Sequence, residues 1–281
     1  MVRLIGIDVD GTLLDSDGHL PDANRQAICA AVAAGIHVSL VTGRSYPYAR
    51  PVADPLPASV TLMVSSGAVE RGMDGRTLAK RLLNRTVARR LLESTQHFRD
   101  HTALIFDRDV ERQIIFESMD WTLPNRRGYW VRNHRLIDRM TPLEDSLTED
   151  PIQVMFNGDP AAMRELSDWL RTSAAGPDGS SPEFSVSLTE YLHRDFSLVD
   201  VTAPQATKGH ALLWRAGQLG ISRDQIMAVG DNFNDVEMLE AAGIPVLMAN
   251  ADPTLHRPGW HRTGHQNDAG LAEAIERFAL R

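Results

Sequence analysis

The chain has 281 residues, of which 43% are apolar and 23% are charged, a composition typical of one large or two modest globular domains. The net charge of −8 argues against a nucleic-acid partner, because such binders need a basic footprint. It argues more weakly against an anionic membrane surface, and no apolar run is long enough to predict a membrane span. A few cations focused in one cleft would still let an acidic protein bind a small anion.

Cysteine usage and the N-terminal residues predict the compartment. Cys29 is the single cysteine, so no internal disulfide can form, and this fits a reducing cytoplasm. Met1 leads directly into a predicted strand, without the pattern of a signal peptide. We therefore expect a cytoplasmic protein without a nucleic-acid or membrane partner; the sequence predicts no oligomeric state.

The first predicted elements alternate between strands and a helix. Residues 3–8 are a short apolar run that ends in an acid, which predicts a buried strand followed by a loop. A helix is predicted over 22–35, where Gly35 ends it, and further strands are predicted at 36–42 and 61–65. This order is typical of a parallel α/β sheet.

The middle of the chain has a different pattern of predicted elements, with shorter strands and longer polar loops. A hairpin-like segment with its turn at Asp74-Gly75 comes first. Further elements are predicted as helices at about 85–98 and 160–172, strands at 103–106, 112–116 and 152–157, and a loop at 174–183. We interpret this region as an α+β unit inserted into the sheet domain.

The α/β pattern returns at about 197. The elements predicted here are strands at 197–202, 225–230 and 244–249 and helices at 208–220, 234–243 and 268–280. The predicted organisation is a split core, residues 1–82 and 191–281, with an insert at 83–190.

Four polar segments lie in or near the ends of predicted core strands, where open parallel sheets bind their ligands. They are Asp8-Val9-Asp10-Gly11-Thr12, Thr42-Gly43-Arg44, Lys208-Gly209 and Gly230-Asp231-Asn232-Phe233-Asn234-Asp235. One cleft could therefore hold all four segments.

Asp8 and Asp10 are two residues apart at the end of a strand, so their carboxylates can reach the same space. Their charges would repel each other unless a cation lay between them, and Mg²⁺ prefers a few oxygen ligands together with water and phosphate. Asp8 could attack phosphorus while Asp10 protonates the leaving alcohol. Gly11 would let backbone N–H groups approach the phosphate. For this motif alone, the alternative is a solvated strand end with a turn.

The second and third segments give weaker signals. Thr42 offers a hydroxyl and Gly43 a backbone N–H to a phosphate, although Thr-Gly is also common in ordinary loops. Arg44 could contact the substrate or form a surface ion pair. Lys208 begins a predicted helix, where an ammonium lies beside a helix N-terminus that favours anions.

The fourth segment places two acids four residues apart at the start of a helix. Asp231 and Asp235 can therefore share one face. A helix N-terminus explains one acid but not both. We expect Asp231 to bind a metal ion, Asp235 to hold Lys208 or a metal-bound water, and Asn234 to donate to the phosphate.

These four segments, in this order and with a large insert between the second and third, resemble the haloacid dehalogenase superfamily. They are similar above all to its Cof-type sugar-phosphatase branch, which carries a C2-type cap. The matching motifs are DVDGTLL, VTGR, ATKG and GDNFNDVEML, and GIPVLMANA (243–251) is similar to the segment that follows them in that branch. The resemblance implies a Rossmann-like parallel-sheet core with an inserted α+β cap domain.

The resemblance also implies roles for the residues. Asp8 would be the nucleophile and a metal ligand, Asp10 the general acid and base with its carbonyl on Mg²⁺, and Asp231 the third protein ligand. The phosphate would be held by Thr42, Gly43, Lys208 and Asn234.

The implied activity is Mg²⁺-dependent hydrolysis of small phosphomonoesters, sugar phosphates among them, through an aspartyl-phosphate. A phosphomutase with the same chemistry is the alternative enzyme. A non-catalytic binding module is disfavoured because Asp8, Asp10 and Asp231 are all present.

Two other groups of residues stand out. Tyr191, His193 and Arg194 could help to define a substrate pocket or make structural contacts. A second group interleaves cations with aromatic rings and predicts a cap surface or a sugar-phosphate contact; its members are Arg126, Arg127, Tyr129, Trp130 and Arg132.

Overall fold

The computed structural model describes residues 1–108, 111–174, 182–191 and 195–280. His193, Arg194 and most of the predicted loop at 174–183 lie outside the described residues. The chain divides into two compact units, the first formed by Met1–Lys80 with Ala206–Arg281 and the second by Arg81–Gln205.

The first unit contains an eight-stranded sheet. Its strands are β1 (Leu4–Ile7), β2 (His37–Val41), β3 (Thr61–Val64), β4 (Val69–Gly72), β5 (Thr77–Lys80), β12 (Ile226–Gly230), β13 (Ile244–Leu247) and β14 (His261–Arg262). Their spatial order is β14-β13-β12-β1-β2-β3-β4-β5. The six strands from β14 to β3 run parallel, and β4 and β5 add an antiparallel edge. Every residue of β1 is buried, as expected for a parallel strand covered on both faces.

Five α-helices belong to the described part of the same unit: α1 (Asp22–Ala33), α2 (Tyr46–Ala53), α6 (Lys208–Gln218), α7 (Val236–Ala241) and α8 (Gly270–Phe278). Leu212 of α6 and Met238 of α7 are fully buried in one apolar cluster with Leu4 of β1. Helices α1 and α8 meet at the buried Asn24, which accepts a hydrogen bond from the Ala272 N–H at 3.0 Å. This packing holds the central strands and therefore the loops that follow them.

In its described residues, the second unit contains a six-stranded sheet with three α-helices. Its strands are β6 (Thr102–Ile105), β7 (Ile114–Phe116), β8 (Ile137–Arg139), β9 (Gln153–Gly158), β10 (Ser185–Tyr191) and β11 (Phe196–Thr202), and its helices are α3 (Arg85–Ser94), α4 (Pro124–Asn133) and α5 (Pro160–Ser173). The spatial order is β10-β11-β9-β6-β7-β8, and only β7 and β8 pair in parallel among the described strands. Leu91 of α3 and Leu166 of α5 pack in one core with Val199 of β11.

The predicted boundary at 191 and the strand assigned to the core at 197–202 differ from the structure. Strand β11 pairs antiparallel with β9, where Val199 lies opposite Phe156, and the chain re-enters the first unit at Ala206. The burial of β11 alternates along much of the strand, and Asp200 interrupts its apolar run. Such alternation is typical of an antiparallel strand, whereas a central parallel strand is almost continuously apolar. The strand was predicted correctly but assigned to the wrong unit.

The fold class is confirmed: a parallel-sheet α/β core is combined with an α+β unit. In the described part of the chain, no helix is long and apolar enough to cross a membrane.

Candidate active site

The candidate site lies at the carboxyl ends of four neighbouring strands. In the order β13-β12-β1-β2, these strands run parallel, so the loops that leave them emerge at one edge of the sheet. Asp8 follows β1, Thr42 follows β2 and Asp231 follows β12. This sheet order brings together residues that are 200 or more positions apart in the sequence.

A buried lysine is at the centre of the site. The Lys208 ammonium donates to Asp8 Oδ1 and to Asp235 Oδ1, each at 2.6 Å. The three side chains are 2%, 6% and 0% exposed, respectively. Burial alone would lower the pKa of Lys208, but the charges of Asp235 and Asp8 outweigh it and raise that pKa above its ordinary value. Lys208 is one of only two lysines in the chain, and the other, Lys80, is exposed.

Asp235 organises the loop after β12. Its Oδ1 accepts from Lys208, while its Oδ2 accepts from the backbone N–H groups of Asp231 at 3.1 Å and Asn232 at 3.0 Å. A Cβ at Gly230 would lie 2.6 Å from the Asp235 Cβ, so only glycine allows this approach. Both carboxylate oxygens of Asp235 are therefore occupied by protein donors. Of the two partners predicted as alternatives for Asp235, Lys208 or a metal-bound water, the structure contains the contact with Lys208.

Asp231 is held at both carboxylate oxygens. Its Oδ1 accepts from the Thr12 hydroxyl at 3.3 Å and its Oδ2 from the Asn250 amide at 3.2 Å. Burial, followed by the charge of Asp235, raises the pKa of Asp231 to about 6. Gly11 has φ = +92°, and a Cβ there would lie 2.2 Å from Asp231 Oδ2. Gly11 thus serves close packing against Asp231 as well as the turn.

The acid cluster fits a divalent cation. One carboxylate oxygen from each of Asp8, Asp231 and Asp235 lies within 4.8 Å of the others. If all three carboxylates were ionised, they and the Lys208 ammonium would carry a net charge of −2, which a divalent cation would balance. Burial, and next the charge of Asp235, raise the pKa of Asp8 well above its ordinary value. Asp235 accepts from the Lys208 ammonium and from two backbone N–H groups, whereas, among the described residues, Asp8 has only the ammonium as a donor and Asp231 has two neutral side-chain donors at 3.2–3.3 Å. Asp8 and Asp231 are therefore the better ligands, and carboxylate oxygens suit Mg²⁺.

Asp10 is not one of the three grouped carboxylates, although it was predicted to be able to reach the same space as Asp8. Its side chain is 61% exposed and paired with Arg44, which donates from Nη2 to Oδ1 at 2.5 Å and from Nε to Oδ2 at 2.9 Å. Of the two alternatives for Arg44, the structure shows an ion pair, and its partner is a candidate catalytic residue. The carboxylate that joins Asp8 and Asp231 in the cluster is Asp235, not Asp10.

The remaining predicted phosphate-holding residues lie near the surface or in the turn after β2. The buried Thr42 accepts from the Arg44 N–H at 3.1 Å through its hydroxyl and from the Ser66 N–H at 2.9 Å through its carbonyl. Gly43 and Asn234 are exposed. The structure brings together Asp8, Lys208, Asp231 and Asp235, whereas Asn234 is exposed.

Sequence reasoning missed Asn250 and gave Thr12 no role of its own. Asn250 also donates to the Gly11 carbonyl at 2.8 Å, in addition to Asp231. The available signal was its position three residues after β13, at the same sheet edge as the predicted motifs.

The basic and aromatic residues of the second unit are divided between interior and surface. Arg126 is 3% exposed, and its guanidinium donates to Asn157 Oδ1 at 2.7 Å. Arg127 and Arg132 are exposed, and Tyr129 stacks on Trp121 at 5.7 Å between ring centroids. Arg126 thus has a structural role inside the unit.

Comparison with known proteins connects this geometry to a family. The sequence model for haloacid dehalogenase-like hydrolases matches residues 5–275. A phosphoglycolate phosphatase of Methanothermobacter thermautotrophicus is 27% identical over 278 residues, with 99% of each chain covered. The solved structure of a haloacid dehalogenase-like hydrolase from Bacteroides thetaiotaomicron superposes with a TM-score of 0.78 at 22% identity, covering 99% of each chain. A solved subclass IIB sugar phosphatase of the same superfamily covers the full length of both chains with a TM-score of 0.71 at 18% identity.

Proposed function

Since the chain belongs to the haloacid dehalogenase-like hydrolases, in their Cof-type branch, and is a phosphatase of that family, we propose that it hydrolyses small phosphomonoesters with Mg²⁺ through an aspartyl-phosphate on Asp8. Sugar phosphates are within the proposed substrate class. The observation that carries the proposal is the buried lysine between Asp8 and Asp235, beside Asp231.

In the first proposed step, an Asp8 carboxylate oxygen attacks the phosphorus of the ester. A bond forms between that oxygen and phosphorus, and the bond from phosphorus to the leaving alcohol oxygen breaks. Lys208 fixes Asp8 through Oδ1, which leaves Oδ2 as the attacking atom. The positive charge of Lys208 also offsets the negative charge of the phosphate group of the substrate.

Asp10 is proposed to give its proton to the leaving alcohol oxygen in the same step. In the structure, Asp10 is paired with Arg44, so we infer that this ion pair opens before Asp10 acts on the leaving group. In the second step, Asp10 takes a proton from a water that attacks phosphorus. The bond to Asp8 then breaks, inorganic phosphate leaves, and the Asp8 carboxylate is restored.

Asp8, Asp231 and the backbone carbonyl of Asp10 are the proposed Mg²⁺ ligands. When bound, Mg²⁺ would neutralise charge on the phosphoryl oxygens. The phosphate is proposed to be held by Lys208, Thr42 and the backbone N–H groups at Gly11 and Gly43; Asn234 would also donate to it if its exposed turn approaches the substrate.

The test is a panel of phosphate esters assayed for released inorganic phosphate, with Mg²⁺ and with a chelator. Asp8→Asn should abolish turnover, because an amide cannot form the acyl-phosphate, while the exposed Asp17→Asn in the same unit should keep it. Acid quenching with an ester labelled in its phosphoryl group should leave label on the wild-type protein but not on Asp8→Asn. Mg²⁺-dependent phosphate release by pure Asp8→Asn protein would refute the nucleophile, and transfer to a second sugar without free phosphate would indicate a phosphomutase.

A further inference from the structure

The side chain of Asn250 links three loops at the candidate site. Its Nδ2 donates to the Gly11 carbonyl at 2.8 Å and to Asp231 Oδ2 at 3.2 Å, and it lies 3.4 Å from Gln266 Oε1. Its Oδ1 accepts from the Gln266 N–H at 3.0 Å. The loop after β1, the loop after β12 and the segment before α8 therefore all contact one amide group.

The chemistry of the partners fixes the orientation of this amide. The Gly11 carbonyl and an ionised Asp231 carboxylate can only accept hydrogen bonds, and the Gln266 N–H can only donate. A flipped amide would direct its carbonyl oxygen at two acceptors and its NH₂ group at a donor. The orientation with Nδ2 towards Asp231 is thus the one that satisfies every group.

Asn250 contacts one proposed Mg²⁺ ligand directly and the backbone next to another. One contact fixes Oδ2 of Asp231, whose Oδ1 is held by Thr12. The other fixes the Gly11 carbonyl, which is adjacent along the backbone to the Asp10 carbonyl. Hydrogen bonds to ligating groups set their direction, and losing one typically lowers metal affinity.

We propose that Asn250 is a positioning residue for the Mg²⁺ site: its amide locks the Asp231 carboxylate and the backbone after Asp10 into one ligating arrangement. This proposal depends on the metal site in the proposed function. It concerns cation binding alone and does not require that the bound substrate be a particular ester.

The direct experiment is calorimetric titration of the full chain with Mg²⁺ in the absence of substrate. Asn250→Ala should weaken Mg²⁺ binding by about 10- to 100-fold. Asn267→Ala is the matched control, because Asn267 is an exposed asparagine of the same unit that accepts from the Ser16 N–H at 2.9 Å. The Mg²⁺ affinity of Asn267→Ala should equal that of the wild type. Asn250→Ser, which retains a short donor, should give an intermediate affinity and provides a second test should the alanine variant misfold.

Kinetics separates positioning from a merely structural role. The Mg²⁺ concentration needed for half-maximal turnover should rise in Asn250→Ala, while KM for the ester at saturating Mg²⁺ should stay at the wild-type value. Folded Asn250→Ala or Asn250→Ser with wild-type Mg²⁺ affinity would overturn the proposal, as would a wild-type chain that binds no Mg²⁺. A chain that binds Mg²⁺ and shows the predicted losses but releases no phosphate would refute the hydrolytic function and leave this proposal standing.

Discussion

Replacing Lys208 with methionine tests whether the acid cluster depends on its buried ammonium. Methionine keeps an unbranched apolar stem, so the substitution removes the charge with little loss of volume. It also removes two hydrogen bonds of 2.6 Å to carboxylates that are 6% and 0% exposed. A charge-assisted hydrogen bond contributes about 1.5–3 kcal/mol, and removing one partner of a buried ion pair costs about 3–5 kcal/mol. We expect the free energy of unfolding to fall by about 3–5 kcal/mol at pH 8 without Mg²⁺.

The pH dependence of this loss has a definite sign. Burial already raises the pKa of Asp8 in the folded protein, and loss of the ammonium would raise it further. At low pH the folded state of the variant can take up protons and relieve the repulsion among its carboxyl groups. The loss of stability in Lys208→Met should therefore be largest at pH 8 and shrink towards pH 5.

The assay is urea denaturation followed by circular dichroism, at both pH values and with and without Mg²⁺. Lys80→Met is the matched control, because Lys80 is the other lysine of the chain and is exposed at the end of β5; its effect should be below about 0.5 kcal/mol. Added Mg²⁺ should restore part of the stability of Lys208→Met, since it replaces the missing positive charge. A loss below about 1 kcal/mol at pH 8, or an equal loss at both pH values, would refute the electrostatic reasoning.

Two further substitutions test close packing and a partly buried acid. Gly11→Ala should lower the free energy of unfolding, measured by thermal unfolding, by more than about 2 kcal/mol and should abolish Mg²⁺ binding. Gly18→Ala is the control: its φ is also positive, at +80°, but it has open space around it, so its free energy of unfolding should fall by only about 1 kcal/mol. Equal effects of the two substitutions would show that contact with Asp231 is unimportant. Burial raises the pKa of Asp200 to about 7, so the folded state binds a proton that the unfolded state releases, and stability is lost as pH rises from about 4 to 7. Asp200→Asn keeps an acceptor for the Gln153 amide and should be more stable than wild type by about 2–4 kcal/mol at pH 8 but not at pH 4; a variant that is less stable at pH 8 would contradict this account.

The parts of the fold and site that were predictable follow from local patterns. A short apolar run that ends in an acid indicates a buried strand with a polar group at its carboxyl end, and this rule located Asp8 and Asp231. Gly11 was predicted to let backbone N–H groups approach a phosphate, and the sequence did not show that Gly11 also packs against Asp231 or that Gly230 packs against Asp235.

The parts that were not predictable depend on contacts between distant segments. Whether Asp10 faces Asp8 or Arg44 is decided by side-chain torsions, which residue spacing does not reveal. The role of Asn250 depends on the lengths of three loops that come together only in the folded unit. Strand β11 was assigned to the wrong unit because an apolar stretch predicts a strand but not its pairing partner.

The scarcity of lysine has a practical consequence for observing the site. Arginine supplies all but two of the 29 cationic side chains, so a lysine-selective isotope label gives two side-chain amino signals, from Lys80 and Lys208. The protons of the enclosed Lys208 ammonium should exchange slowly with water, and its resonance should move when the charge on Asp8 changes. Phosphorylation of Asp8 or arrival of a cation would shift one signal and leave the exposed one as an internal reference. The reaction could thus be followed by nuclear magnetic resonance in the unmodified protein, without a reporter group attached to the substrate.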